Sequence, residues 1–130
     1  MSLSTEKLLP LCLLMLLSMH NVLVTAKRHV SIVNYMEDNL DLTIHCKSRD
    51  DDLGIHLLHY GDSFSWEFNN NIFNTTLFFC SFRWNGETHW FDIYKAKRDG
   101  DICLDGTICT WLIQKAGPCV NDISCYDWNK

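Results

Sequence analysis

The chain has 130 residues, 47% of them hydrophobic and 12% aromatic, with 16 acidic against 11 basic side chains and a formal net charge of −5. A mildly acidic balance without clustered Lys and Arg argues against binding a phosphate backbone. The length fits one small domain, and seven cysteines in so short a chain argue against an ordinary cytosolic enzyme.

Residues 8–19, from Leu8 to Met19, form an apolar run behind a short head that carries Lys7. Val24 and Ala26 follow at the spacing a signal peptidase accepts, so residues 1–26 read as a secretory leader. The run is too short for a membrane helix, which needs about 20 residues to cross ~30 Å of hydrocarbon. Cys12 leaves with the leader. The mature chain, Lys27–Lys130, keeps Cys46, Cys80, Cys103, Cys109, Cys119 and Cys125. An even count in a secreted chain reads as a disulfide framework formed in an oxidising compartment. No second apolar stretch follows, so no membrane insertion is expected. Residues Cys125–Lys130 carry neither a lipid-anchor tail nor a retention signal, so the expected destination is extracellular.

The mature chain has a period of two. Val30 and Ile32 open it, although Val33 breaks the register. Leu40, Leu42, Ile44 and Cys46 then alternate with Asp41, Thr43 and His45, which predicts a half-buried strand. Phe64, Trp66 and Phe68 repeat the pattern, as do Phe91 and Ile93. Leu77–Phe82 is apolar on both faces and is expected to be a central strand covered on both sides. Ile108–Ile113 places Cys109 and Trp111 on one face.

Turn chemistry separates these runs at Lys47–Asp52, Tyr60–Asp62, Glu67–Asn71, Asn85-Gly86, Asp99–Asp101, Asp105-Gly106 and Gly117-Pro118. Asn85-Gly86 between aromatic strands is the sharpest hairpin signal. About seven short strands at this spacing imply an antiparallel sandwich or barrel. No segment after residue 27 sustains a helical period over three turns.

Asp50, Asp51 and Asp52 sit between two expected strands. Calcium needs about six to eight oxygens, and three neighbours on an extended loop cannot all converge. The triplet therefore reads as a solvated turn or a partner contact. His56 and His59 fall on opposite faces of a strand, so no zinc site is expected. No Gly-x-Ser-x-Gly elbow or cleft-forming carboxylate pair stands out, and no cofactor or catalytic residue is assigned. Asn74-Thr75-Thr76 is the single N-glycosylation acceptor. Trp84 and Trp90 flank the hairpin turn, where one exposed ring could anchor a partner.

Four ordered segments resemble the plant self-incompatibility protein family, the S-protein homologues. His45–Ser48 runs into Asp50–Gly54; then come Gly61–Phe68 and Thr76–Trp84. Last are Phe91–Tyr94 with Arg98-Asp99, followed by Cys103 and Cys109–Trp111. The resemblance covers nearly the whole mature chain. It implies an all-β fold, a small disulfide-bonded antiparallel β-sandwich of about seven strands over residues 27–130. It also implies a non-enzymatic ligand recognised by a cell-surface receptor, the best-known members acting as stigma determinants against incompatible pollen. Cys46, Cys80, Cys103 and Cys109 fall where the family's recurring cysteines fall, and Cys119 and Cys125 look like an added pair. Six cysteines permit 15 pairings; the pairing expected here is Cys119–Cys125, Cys46–Cys109 and Cys80–Cys103.

The expected mechanism is recognition by loops on a rigid scaffold. Lys47–Asp52, Asn69–Asn74 and Lys95–Asp105 are the expected recognition segments. Asp50, Asp51, Asp52, Lys97, Arg98 and Asp99 are the receptor-contact candidates. A monomer is expected, with no nucleic-acid partner. The alternatives are a secreted inhibitor or toxin-like binder presenting Ile102–Thr110, a glycan binder using exposed tryptophans, and a small hydrolase.

Overall fold

Alternating apolar residues build two sheets whose inward faces meet. The computed structural model describes residues 27–104, 106–121 and 124–130; the leader expected over 1–26 lies outside the described residues. The strands are β1 (Arg28–Asn34), β2 (Leu42–Lys47), β3 (Asp52–Leu58), β4 (Ser63–Phe68), β5 (Leu77–Trp84), β6 (Glu87–Lys95), β7 (Ile108–Gln114), β8 (Gly117–Val120) and β9 (Ser124–Cys125). One helix, α1 (Ala96–Ile102), follows β6. The sheets run β4-β1-β7-β8-β9 and β3-β2-β5-β6. The β1–β7 pair is parallel and the other pairs are antiparallel.

The all-β sandwich expected from the sequence is observed, with nine strands among the described residues where about seven were expected. Strand β3 is hidden in sequence because Gly54 takes φ +83° and Ile55 and Leu57 face solvent. Gly117-Pro118, read as a turn, starts β8. The Asn85-Gly86 turn joins β5 to β6 as expected, with both residues at positive φ. Strand β5 is central in its sheet but buried on one face only. Phe78, Cys80, Phe82 and Trp84 face inward, whereas Leu77 and Phe79 are each 39% exposed. The expected long loop Lys95–Asp105 contains α1, and Asp99-Gly100-Asp101 lies inside that helix rather than in a turn.

Val30, Ile32, Ile44, Phe82, Ile93, Trp111 and Ile113 form the centre of the core. Asn34 completes the alternation of β1 as a buried polar residue. Its side-chain amide donates to the carbonyls of Leu40 and Leu58, and its Oδ1 accepts from the Met36 N–H. Giving both donors and the oxygen of a buried amide a partner avoids a desolvation penalty of about 1–3 kcal/mol.

The C-terminal segment closes one open side of the sandwich. Asn129 and Lys130 pair with the backbone of Trp90 on β6. Trp128 packs on Phe82 and Trp84, and its Nε1 donates to the Lys115 carbonyl. Gly117 permits this course. Its φ is +144°, and a Cβ there would sit 2.0 Å from the Tyr126 carbonyl oxygen.

Two of the three expected disulfides are corrected. The bridges are Cys46–Cys80, Cys103–Cys109 and Cys119–Cys125. Cys46 and Cys80 stand opposite each other on neighbouring strands of one sheet. Cys109 lies on β7 of the other sheet, where α1 returns Cys103 to its side. Local strand register thus overrides the longer inter-sheet ties that were expected.

Cys46–Cys80 spans 34 residues of sequence and each of the others 6. Loop-closure entropy then assigns about 4 kcal/mol to the first and about 2 kcal/mol to each short bridge. Replacing Cys46 and Cys80 by alanine together should lower the urea midpoint more than replacing Cys119 and Cys125 together. Equal losses would show that loop entropy does not set their ranking.

Candidate functional site

Strand register brings three connections to one end of the sandwich. At that end Arg28 pairs with Phe68, Lys47 with Asp52 and Phe79, Leu77 with Lys95, and His29 with Ile108. The β2–β3 turn, the β4–β5 loop and the α1-containing segment all emerge there. Phe68 ties the two sheets at this end, 4.7 Å from both the Phe78 and Tyr94 rings. Tyr94 Oη donates to Asn70 Oδ1, and the Ala96 N–H donates to the Thr76 carbonyl. All three expected recognition segments therefore share one face.

Between the first two connections lies a cleft of about 460 Å³, walled by Ser48, Arg49, Asp50 and Asp51 on one side and Asn69, Asn71, Thr75 and Thr76 on the other. Phe68, Phe78 and Phe79 also line it. The acidic turn is held by its own backbone: Ser48 N–H donates to the Asp51 carbonyl, and Asp51 N–H to Ser48 Oγ. Asp50 and Asp51 are exposed. Asp52 is exposed too but engaged, accepting from the Gly54 N–H at 2.9 Å and meeting His45 Nε2 at 2.7 Å. These contacts hold its carboxyl below the ordinary value of 3.8, the Gly54 N–H being the larger cause.

The β4–β5 loop is an ordered turn organised by Asn71. Its Oδ1 accepts from the Phe73 and Thr75 N–H groups, and its Nδ2 donates to Thr75 Oγ1. Asn74, the glycosylation acceptor, is exposed with φ +56°, a left-handed conformation that asparagine tolerates.

The α1 segment divides the remaining candidates. Lys97 is exposed, Arg98 is partly buried and Asp99 is fully buried. Arg98 donates to both oxygens of Asp99 and to the Asp92 carbonyl. Its guanidinium lies 5.1, 5.2 and 5.5 Å from the ring centroids of Phe91, Trp111 and Tyr126. Asp99 also accepts the Lys95 N–H at 2.8 Å, which satisfies a donor at the start of α1. Asp99 thus has no surface to offer a partner; the Arg98-Asp99 pair is internal framework. Sequence reading missed this because a charged dipeptide beside glycine looks solvated.

Asp99 also lies near the Cys103 and Cys109 sulfurs, but those sulfurs are bonded to each other. Within Ile102–Thr110 the Gly106 N–H donates to the Cys103 carbonyl and the Thr107 N–H to the Leu104 carbonyl, while Ile108–Thr110 is already extended in β7. Trp84 is buried, and Trp90 is 41% exposed with Lys130 Nζ over its ring. The closest histidine–carboxylate pairs, His45–Asp52 and His59–Asp41, are partly or fully exposed. The Asp41 carboxylate raises His59 above its ordinary 6.5.

The family described as Plant self-incompatibility protein S1 matches residues 29–128. S-protein homolog 2 of Arabidopsis thaliana is 46% identical over 121 residues, covering 87% of this chain and 75% of that protein. S-protein homolog 29 of the same plant is 40% identical over 118 residues, covering 86% and 85%. A solved structure of SPH (Self-Incompatibility Protein Homologue) proteins, described as a widespread family of small, highly stable, secreted proteins from plants, matches with a TM-score of 0.57. It is 16% identical and covers 80% of this chain and 96% of that one.

Two predictions follow the electrostatics. Arg98→Ala leaves Asp99 buried without its cation and should cost about 3–5 kcal/mol by denaturant melts. Replacing Arg98 and Asp99 together by Met and Leu should cost less than that single change; a larger loss would contradict the pairing. Proton titration by NMR should place the Asp52 midpoint below 3.8 and the His59 midpoint above 6.5. The Asp52 contribution to stability is then present above 3.8 and disappears as pH falls through its lower folded value. That of His59 is present below 6.5 and fades as pH rises through its higher folded value.

Proposed function

Because the chain belongs to the plant self-incompatibility protein S1 family, we propose that it is a secreted, non-enzymatic signalling ligand that a membrane receptor recognises through the loop-bearing end of its sandwich. One observation carries this reading: Lys47–Asp52, the β4–β5 loop and the α1 segment converge on a single face of a scaffold tied by three disulfides. Loops on such a scaffold can vary without disturbing the core, so related ligands can diverge in partner. The contact set within that face is Asp50, Asp51 and Lys97, with Asp52 held back by His45 and Gly54.

A ligand role fits the surface chemistry better than catalysis. The two closest histidine–carboxylate pairs stand outside the end cleft, at positions open to water. The likeness to SPH proteins, which are described as secreted, supports an extracellular destination, in line with the leader read at 1–26. Secretion also makes Asn74 available for an N-glycan. A glycan there would border the recognition face, so its occupancy would set how much of that face a receptor can reach. Mass spectrometry before and after enzymatic deglycosylation reads the occupancy directly.

The test of function uses the protein as secreted by cultured plant cells, labelled and titrated onto intact plant tissue. Saturable binding that disappears on reduction and alkylation is expected. Exchanging Lys47–Asp52 for the matching segment of a relative should move binding to that relative's target while the melting temperature changes little. An absence of saturable binding in every tissue would defeat the ligand reading.

A further inference from the structure

The β4–β5 loop carries Ile72 at 85% exposure and Phe73 at 77%, the highest values among the described large apolar residues. Adjacent apolar side chains this exposed are costly unless something covers them in use. Their backbone is already set. Asn71 holds the Phe73 and Thr75 N–H groups on its side-chain oxygen, the Asn71 N–H donates to Thr76 Oγ1, and the Asn74 N–H donates to the Asn71 carbonyl. A contact presented on an ordered turn loses little chain entropy on binding.

The surroundings restrict what can cover the knuckle. No charged residue occurs between Glu67 and Arg83. On the opposite wall of the cleft Asp50 and Asp51 are exposed beside Arg49, and Lys95 and Lys97 are exposed at the same end. An uncharged apolar centre with charges at its margin is the layout of a protein-binding surface. We propose that Ile72 and Phe73 are the anchor that enters an uncharged apolar pocket of a folded protein partner, with a cation at the pocket rim facing Asp50 and Asp51. This rests on the ligand reading above and names the chemistry of its partner.

A lipid surface fits less well. Even a myristoyl chain gives only marginal membrane binding, with an association constant of about 10⁴ M⁻¹, and Ile plus Phe offers less apolar length. The chain's net charge of −5 adds no attraction to anionic headgroups. That same charge on both partners disfavours a second copy of the chain.

The experiment compares the secreted wild type with I72A/F73A and D50N/D51N on intact cells. Alanine is chosen because serine at either position of the knuckle would create a new glycosylation acceptor after Asn70 or Asn71. I72A/F73A should weaken binding at least about tenfold, as expected for an anchor pair. Its melting temperature should match wild type, since both side chains are exposed. D50N/D51N should weaken binding less and flatten its salt dependence. Protease treatment of the cells should abolish binding. Protein-free vesicles of phosphatidylcholine and phosphatidylserine should bind neither form.

Wild-type binding that saturates while I72A/F73A stays within twofold overturns the anchor and leaves the ligand reading standing. Failure of the wild type to bind at all removes both. Vesicle binding that depends on Ile72 and Phe73, or a dimer in light scattering that the same variant dissolves, overturns the protein partner.

Discussion

The guanidinium of Arg98 connects both sheets, the closing segment and α1. It lies near Phe91 of one sheet, Trp111 of the other and Tyr126 of the closing segment, while it forks onto Asp99 inside α1. A fully buried carboxylate is tolerable only when paired and hydrogen-bonded. Asp99 meets that condition with Arg98 and the Lys95 N–H together. The pair therefore fixes where α1 lies, and α1 fixes where the chain enters β7. Strand β7 pairs in parallel with β1 because β6 ends where β1 starts, and the helix carries the chain across to the other sheet at that same end. The end face is thus a consequence of one internal ion pair as much as of loop sequence.

What the sequence discloses and what it hides follow from the same physics. Period-two alternation locates β1, β2, β4, β6 and β7, since each has one face in the core and one in water. It mistakes β5, whose outer face keeps Leu77 and Phe79 although that face is open. It passes over β3, where outward Ile55 and Leu57 and the positive φ of Gly54 erase the alternation. Strand β8 is concealed by Gly117-Pro118, a dipeptide whose turn signature here serves a close approach to Tyr126. Disulfide pairing was illegible because it depends on which strands are neighbours. Once β2 lies against β5, Cys46 faces Cys80.

The candidate site divides in the same way. Segments are legible because turn residues announce them, so the three segments expected to carry recognition do fall between strands. Side-chain direction is not announced. Asp99 and Asp50 both look like loop carboxylates in sequence, yet one is buried against Arg98 and the other stands in water. Ile72 and Phe73 lie within Asn69–Asn74, a segment expected to carry recognition, but nothing in the sequence says that these apolar side chains point outward.

The two ends of the sandwich are built to different standards. At the far end, buried Asn34 gathers the carbonyls of Leu40 and Leu58, and its backbone pairs with Gly61 and Asp62. Lys115 joins the same end to Glu37 and Asp38. Those connections are consumed in holding the chain together. At the near end the internal bonds also fix backbone shape, but they leave Ile72, Phe73, Asp50, Asp51 and Lys97 facing outward. Exposure alone would be a liability in a secreted protein. Exposure on an ordered turn beside a cleft presents apolar side chains without presenting an unpaired strand backbone, although the turn follows the edge strand β4. The near end thus differs from the far end in leaving apolar and acidic side chains outward on backbone that is already fixed.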